Sequence, residues 1–139
     1  MIVGNSTNPK GQSVSYAGGL YLSGSAKAVN CIVQDNVSVS GGTEAESEFF
    51  FGSSINIRNC VSPVAFPERA VACQTGRTVF EEDSLVPSVR SIALGKGDKS
   101  VMQYFPTLLD VYGSARKVGR LDIGAAENPK SLGFAIIAK

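Results

Sequence analysis

A chain of 139 residues is the size of a single domain. Its 13 Lys+Arg and 12 Asp+Glu leave a net charge of +1, and its 43% hydrophobic content is enough for a core, which excludes a disordered chain and gives no bulk signal for nucleic acid. The absence of His and Trp removes Ser-His-Asp and Cys-His nucleophile systems, the HExxH metal motif and any tryptophan platform for sugars.

The first residues, Met1-Ile2-Val3-Gly4-Asn5-Ser6, carry neither a basic nor an apolar region, so no signal peptide is predicted. Residues 1–12 read as a polar lead-in. Short alternations follow: Ser13-Val14-Ser15-Tyr16, then Val37-Ser38-Val39-Ser40, then Ile55-Asn56-Ile57-Arg58. Each is expected to turn its apolar side chains to one face of a strand. Gly18-Gly19, Gly24, Gly41-Gly42 and Gly52 punctuate them as turns. No apolar run approaches the ~18 residues of a membrane span; the longest, residues 134–138, lies at the end of the chain. Fifteen Val, 15 Gly and 17 Ser against eight Leu complete an all-β composition. The three cysteines, Cys31, Cys60 and Cys73, form no CxxC; an odd number leaves at least one thiol unpaired within the chain, and buried, inert thiols are expected.

One segment repeats. Leu20-Tyr21-Leu22-Ser23 and Asn30-Cys31-Ile32-Val33 return, at one constant offset, as Phe49-Phe50-Phe51-Gly52 and Asn59-Cys60-Val61-Ser62. Units of this kind stack at the strand spacing of about 4.8 Å, with equal positions in ladders. Asn30 and Asn59 are therefore expected one or two rises apart, with Cys31 and Cys60 pointing the same way and each Asn bonding its neighbour along the stack. The polar stretch 41–48 is expected to bulge from the wall as a loop.

Tyr16-Ala17-Gly18-Gly19-Leu20-Tyr21-Leu22 with Asn30-Cys31-Ile32-Val33-Gln34-Asp35-Asn36 resembles a coil of right-handed parallel β-helix proteins. The later segments resemble bacterial proteins that carry a choice-of-anchor Q domain. Ser91-Ile92-Ala93-Leu94-Gly95-Lys96-Gly97-Asp98 is similar to their Ser-Pro-Ala-Ile-Asp-Ala-Gly-Asp stretch, with Ile92 in place of the proline and Gly95 in place of the Asp. Asp110-Val111-Tyr112-Gly113-Ser114-Ala115-Arg116 is similar to Asp-x-x-Gly-x-x-Arg, and Arg120-Leu121-Asp122-Ile123-Gly124-Ala125-Ala126-Glu127 to their closing Asp-Ile-Gly-Ala-(aromatic)-Glu, with Ala126 for the aromatic. Asn59-Cys60-Val61-Ser62-Pro63 sits where the family has a Cys-rich Ser-Pro segment. The likeness spans residues 16–127. It implies an all-β single domain, the C-terminal coils of a right-handed parallel β-helix with irregular terminal strands: coils over 13–90, a closing segment over 91–127 and a tail over 128–139. It also implies an extracellular or cell-surface protein.

The fold decides no chemistry by itself. A hydrolase needs two carboxylates facing one groove, yet Asp35 is the only acid on a well-defined coil, and its counterpart at the repeat offset is Val64. Glu44, Glu46 and Glu48 fall in the expected loop and Glu81-Glu82-Asp83 in a turn, where solvated charge is the simpler reading. Lys96, Asp98 and Lys99 read as a polar surface loop. No catalytic residues are assigned. Asp110, Arg116, Asp122 and Glu127 read as a structural clasp, with Asp122 turned toward Arg116; their alternative role is a sugar or calcium site. No other cofactor or metal is implied. Asp35, Tyr104 and Tyr112 are the candidate ligand-binding residues, with Tyr21 packed in a coil and Tyr104 placed as a lid on the core. The expected function is a non-catalytic cell-surface or secreted module that binds a polysaccharide or surface glycan; the alternative is the C-terminal part of a polysaccharide-degrading lyase or hydrolase. Partners are glycans, with no nucleic acid and no membrane span, and self-association through an open N-terminal end.

Overall fold

The computed structural model describes residues 1–7, 18–38, 48–51, 56–104, 108–117 and 119–130. Its regular elements are ten very short strands and one 3-10 helix: β1 (Ile2–Val3), β2 (Ser6–Thr7), β3 (Leu20–Leu22), β4 (Ala28–Val29), β5 (Val33–Gln34), β6 (Val37–Ser38), β7 (Phe49–Phe51), β8 (Ile57–Arg58), β9 (Val61–Ser62), β10 (Gln74–Thr75) and η1 (Lys99–Tyr104). The described chain is all-β in character, built from two-stranded parallel sheets.

The registers of those sheets share a few offsets. Leu20 lies opposite Phe49, Ala28 opposite Ile57, and Ile32 opposite Val61. All three pairs keep the offset of the sequence repeat, the same that separates Cys31 from Cys60. At the first level the spacing is slightly longer, with Ile2 opposite Val33 and Ser6 opposite Val37. At the last it contracts to less than half, with Val61 opposite Gln74 and Arg58 opposite Val71. Ile2–Val3 and Ser6–Thr7, within the stretch read from sequence as a polar lead-in, are thus paired strand, and β10 is the last strand in a parallel pair among the described residues. Beyond it the chain makes antiparallel bridges, Phe80 to Pro87 and Leu109 to Ala115.

Strands of two residues need fixed corners. Asn30, Asn59 and Ala72 each stand before a cysteine, and each has a positive φ, 56°, 48° and 53°. Asn tolerates this left-handed conformation; alanine does so at a cost of ~1–2 kcal/mol. Asn30 and Asn59 do not bond one another as expected. Asn30 instead exchanges a reciprocal pair with Asp98, its Nδ2 donating to the carbonyl at 3.0 Å and its Oδ1 accepting from the amide at 2.7 Å. Asn59 Nδ2 donates to the Lys96 carbonyl at 2.8 Å. The asparagine ladder exists elsewhere: Asn36 Oδ1 accepts from both the amide and the side chain of Asn5, each at 3.0 Å.

Pleating divides the core. Leu22, Ala28, Val33, Phe49, Ile57, Cys60 and Val64 form one cluster, with Ile2, Cys31 and Cys73 packed against it. Ile32, Val61, Ala93 and Ile123 form the other, with Met1, Val3 and Phe80. Adjacent residues therefore face opposite ways, as strand geometry requires. The second cluster is completed by residues of the 91–127 segment, which lies against the levels of Ile32 and Val61; the Ile123 amide meets the Ala93 carbonyl at 2.9 Å and the Gly124 amide meets the Asn30 carbonyl at 3.1 Å.

In β6 the apolar residue faces out: Val37 is 53% exposed and Ser38 is buried. Asn36 turns inward, and strict alternation then sends Val37 outward. Glu48 is buried rather than looped in solvent; it accepts from the Asn36 amide at 3.2 Å and from its Nδ2 at 2.6 Å. The Ser13–Tyr16 alternation, Glu44, Glu46, most of the 41–48 stretch and the tail from residue 131 fall outside the described residues.

Gly124 has φ 114°, and a β-carbon there would lie 2.8 Å from Ile32 Cδ1. Gly124→Ala is therefore expected to destabilise the fold by about 1–3 kcal/mol through combined backbone strain and overpacking. At Ala72 the strain is native, so Ala72→Gly is expected to raise stability by about 0.5–1 kcal/mol. Urea denaturation of the two variants beside the parent chain measures both effects, and a loss on Ala72→Gly would contradict the corner geometry.

Candidate functional site

The densest polar cluster lies in the 110–128 segment, where a run of turns brings three acids and an arginine together. Arg116 donates from Nη1 to Glu127 Oε1 at 3.1 Å, and from Nη2 to the carbonyls of Gly124 and Ala125 at 3.2 and 2.9 Å. The Arg116 and Glu127 side chains are 17% and 2% exposed. Asp110 accepts from the amides of Tyr112, Ser114 and Glu127 at 2.9, 2.8 and 3.0 Å. Gly113, at φ 78°, and Gly124 supply the left-handed turns between these groups.

Asp122 does not turn to Arg116. Fully buried, it accepts from the Gly95 amide at 2.6 Å and the Asn128 amide at 2.9 Å. The Asp122 amide in turn donates to Glu127 Oε2 at 3.3 Å. The four residues read from sequence as one cluster are thus brought together, but through backbone amides as much as through charge. Asn128 extends the cluster, donating to the Pro87 carbonyl at 2.6 Å, and Lys117 reaches the Asn128 carbonyl.

The electrostatics follow the geometry. Burial pushes the Glu127 carboxyl above its ordinary range and the charge of Asp122 adds to the rise, against the pull of Arg116 and Lys117. For Asp110, burial pushes upward, yet three amide donors and Arg116 outweigh it and hold the carboxyl below its ordinary 3.8. Asp98 is also held low, chiefly by bonds from Ser100, with a smaller contribution from Arg58, whose guanidinium lies 2.9 Å away. The expected surface loop at 96–99 is therefore anchored to Asn30, Asn59 and Arg58.

The candidate ligand-binding residues are dispersed. Asp35, in a left-handed corner at φ 61°, pairs with Arg77 and accepts from Gln34 Nε2 at 3.1 Å. Tyr112 is exposed, and its hydroxyl accepts from the Leu85 amide at 2.9 Å. Tyr104 ends η1 at 77% exposure, so it covers no core, and Tyr21 is exposed rather than packed. Glu82 and Asp83 lie exposed in a turn with Asp83 at φ 49°. Among the described residues no group of three or more acidic or cysteine side chains is disposed to hold a metal ion. No helix of the described chain is long and apolar enough to cross a membrane.

Sequence reading missed Arg58, Arg77 and Asn128. Arg58 and Arg77 carry no local pattern; their partners, Asp98 and Asp35, lie in distant parts of the chain. It also missed a cavity of about 250 Å³ lined by Met1, Val29, Cys31, Met102, Arg116 and Leu121 among others, whose walls come from distant segments.

Removing Arg116 leaves Glu127 buried without its counter-charge, so Arg116→Ala is expected to cost about 3–5 kcal/mol, read as a lowered midpoint of thermal unfolding. The acid limb separates the carboxylates. Asp110 has a depressed folded value, so its contribution is present above pH 3.8 and is lost as pH falls through the lower folded value. Glu127 has a raised folded value, so its ionisation opposes folding as pH rises through and above its ordinary 4.5. Asp110→Asn is expected to flatten the loss of stability below about pH 4, while Glu127→Gln leaves that loss in place; urea midpoints taken from strongly acidic to neutral pH measure both.

No family model matches this chain, and neither a curated protein nor a solved structure does.

Proposed function

We propose that the chain is the C-terminal portion of a right-handed parallel β-helix, of the kind associated with a choice-of-anchor Q domain, and that it serves as a non-catalytic cell-surface or secreted module that contacts glycans. The single observation that carries the architecture is the run of parallel registers: Ile2 beside Val33, Ile32 beside Val61, Val61 beside Gln74. Each parallel pair needs a connection that carries the chain back to the start of the partner strand, and a succession of such pairs along the chain is what stacked coils would give.

The non-catalytic reading is supported by how the acids are used. Asp110, Asp122, Glu127 and Glu48 are buried and accept from backbone amides or from Asn36. Buried and engaged in this way, these carboxylates are used to hold the backbone rather than presented for proton transfer or attack. Glycan contact is supported by the exposed rings of Tyr21, Tyr104 and Tyr112, at 51%, 77% and 55% exposure. Aromatic faces in water are suited to stack on the apolar face of a sugar. Asp35, 44% exposed in its side chain and paired with Arg77, is the acid we assign to sugar hydroxyls.

A glycan array followed by titration of the strongest hit tests this function. Tyr104→Ala is expected to weaken binding several-fold with an unchanged melting temperature. Arg116→Ala is expected to lower the melting temperature and leave the affinity of the folded fraction unchanged. Release of reducing ends from the bound polysaccharide would overturn the non-catalytic reading in favour of a lyase or hydrolase.

A further inference from the structure

We propose that the cavity of about 250 Å³ between η1, the Asn30 corner and the closing segment binds a small neutral molecule, a single aromatic ring carrying one carbonyl, with Arg116 as the residue that meets the oxygen. Distant parts of the chain build its walls. Val29, Asn30 and Cys31 form one, Val101 and Met102 of η1 a second, and Leu121, Gly124 and Ala125 a third, with Met1 beside them. This cavity is separate from the exposed rings that offer themselves to glycans.

The polar atoms of the Asn30 wall are already engaged. Asp98 takes both ends of the Asn30 side-chain amide. The Asn30 carbonyl accepts from the Gly124 amide at 3.1 Å, and the Cys31 thiol donates to the Val29 carbonyl at 3.4 Å. The rest of the lining is largely aliphatic carbon and the thioethers of Met1 and Met102. Thioethers are polarisable, adapt their shape and make favourable contacts with aromatic rings. An apolar cavity of about 150 Å³ takes benzene, so one of about 250 Å³ has room for a ring with a short substituent.

Arg116 is the polar exception. Its Nη1 donates to Glu127 and its Nη2 to the carbonyls of Gly124 and Ala125, whereas its Nε–H has no acceptor among the described residues. The side chain is 17% exposed, and a guanidinium N–H shielded from bulk water is a strong donor. A ligand oxygen in the cavity supplies the missing acceptor.

Charge then selects the ligand. The cluster behind the guanidinium holds three carboxylates, Asp110, Asp122 and Glu127, and the cations acting on Glu127 are Arg116 and Lys117. A ligand carboxylate would bring further negative charge to a partly buried group of acids. A neutral carbonyl accepts the same N–H without that cost.

The chain carries its own probes. Met1 and Met102 are its two methionines, and both line the cavity, so carbon-13 labelling of methionine methyls reports on this site. Acetophenone is expected to shift both methyl signals saturably and to move the Arg116 Nε–H resonance. Ethylbenzene, the ring without the oxygen, is expected to shift the methyls and leave the Nε–H nearly in place. Benzoate is expected to bind more weakly than acetophenone. Because η1 has no buried side chain, a larger residue there is expected to leave the fold intact. Val101→Trp fills the space and is expected to weaken acetophenone binding several-fold. Should that variant not fold, Met102→Phe replaces it, with Met1 as the probe. The proposal is overturned if the methyls ignore acetophenone or the Nε–H responds equally to both ring compounds. It is also overturned if benzoate binds as tightly as acetophenone, or if the filled variant binds as the parent does.

Discussion

Backbone pairing in strands two or three residues long holds only if the corners between them are rigid. A two-residue strand contributes one or two ladder bonds, too few to fix its own direction. Here direction is set by left-handed residues at Asn30, Asp35, Asn59 and Ala72, which place the following residues in register with the level before. Once the corners are placed, everything else follows from the pleat: Ile32 and Val61 to one core, Val33 and Cys60 to the other. The corner side chains have a second use. Asn30 and Asn59 present amide groups outward from two successive levels, and the 96–98 backbone lies down on them.

The closing segment then solves a problem of polar satisfaction. Among the described residues of 91–128, η1 is the one regular element, so most amides there have no ladder in which to bond. Four side chains stand in for one. Asp110, Asp122, Glu127 and Asn128 take up amides at Gly95, Tyr112, Ser114, Asp122, Glu127, Asn128 and Lys130. Buried acids in this role are held by N–H dipoles rather than by opposite charge, which is why one guanidinium, Arg116, suffices beside three carboxylates.

The repeat is legible because its spacing is constant: Asn30-Cys31 recurs as Asn59-Cys60, and the register copies that offset. The third unit, Val71-Ala72-Cys73-Gln74, hides because its spacing is much shorter and its corner is alanine. The first hides because Ile2 and Val3 carry no cysteine and pair with Val33 and Gln34 at a spacing of their own. The sequence names the members of the 110–127 cluster but not its wiring, since opposite charge suggests a pair while the chain geometry gives Asp122 two amides instead. The misplacement of Glu48 has the same origin. A Glu beside a run of glycine and acid reads as solvent-exposed, and the side chain that draws it inward, Asn36, belongs to an earlier turn of the chain.

The strap formed by residues 96–98 also bears on how the protein answers a mechanical load. Parallel pairs only two or three residues long each rupture at the cost of a couple of bonds when pulled apart one after another. The strap bridges the Asn30 and Asn59 levels directly, and it is backed by the Arg58–Asp98 pair at 2.9 Å. Those two levels cannot part until the bonds of the strap and the pairing between them fail together. Bonds loaded side by side share force, whereas bonds loaded in sequence each take it all. Among the described strands, β1 and β10 should therefore yield first, and the pairing that the 96–98 segment crosses, between Asn30 and Asn59, should resist longest.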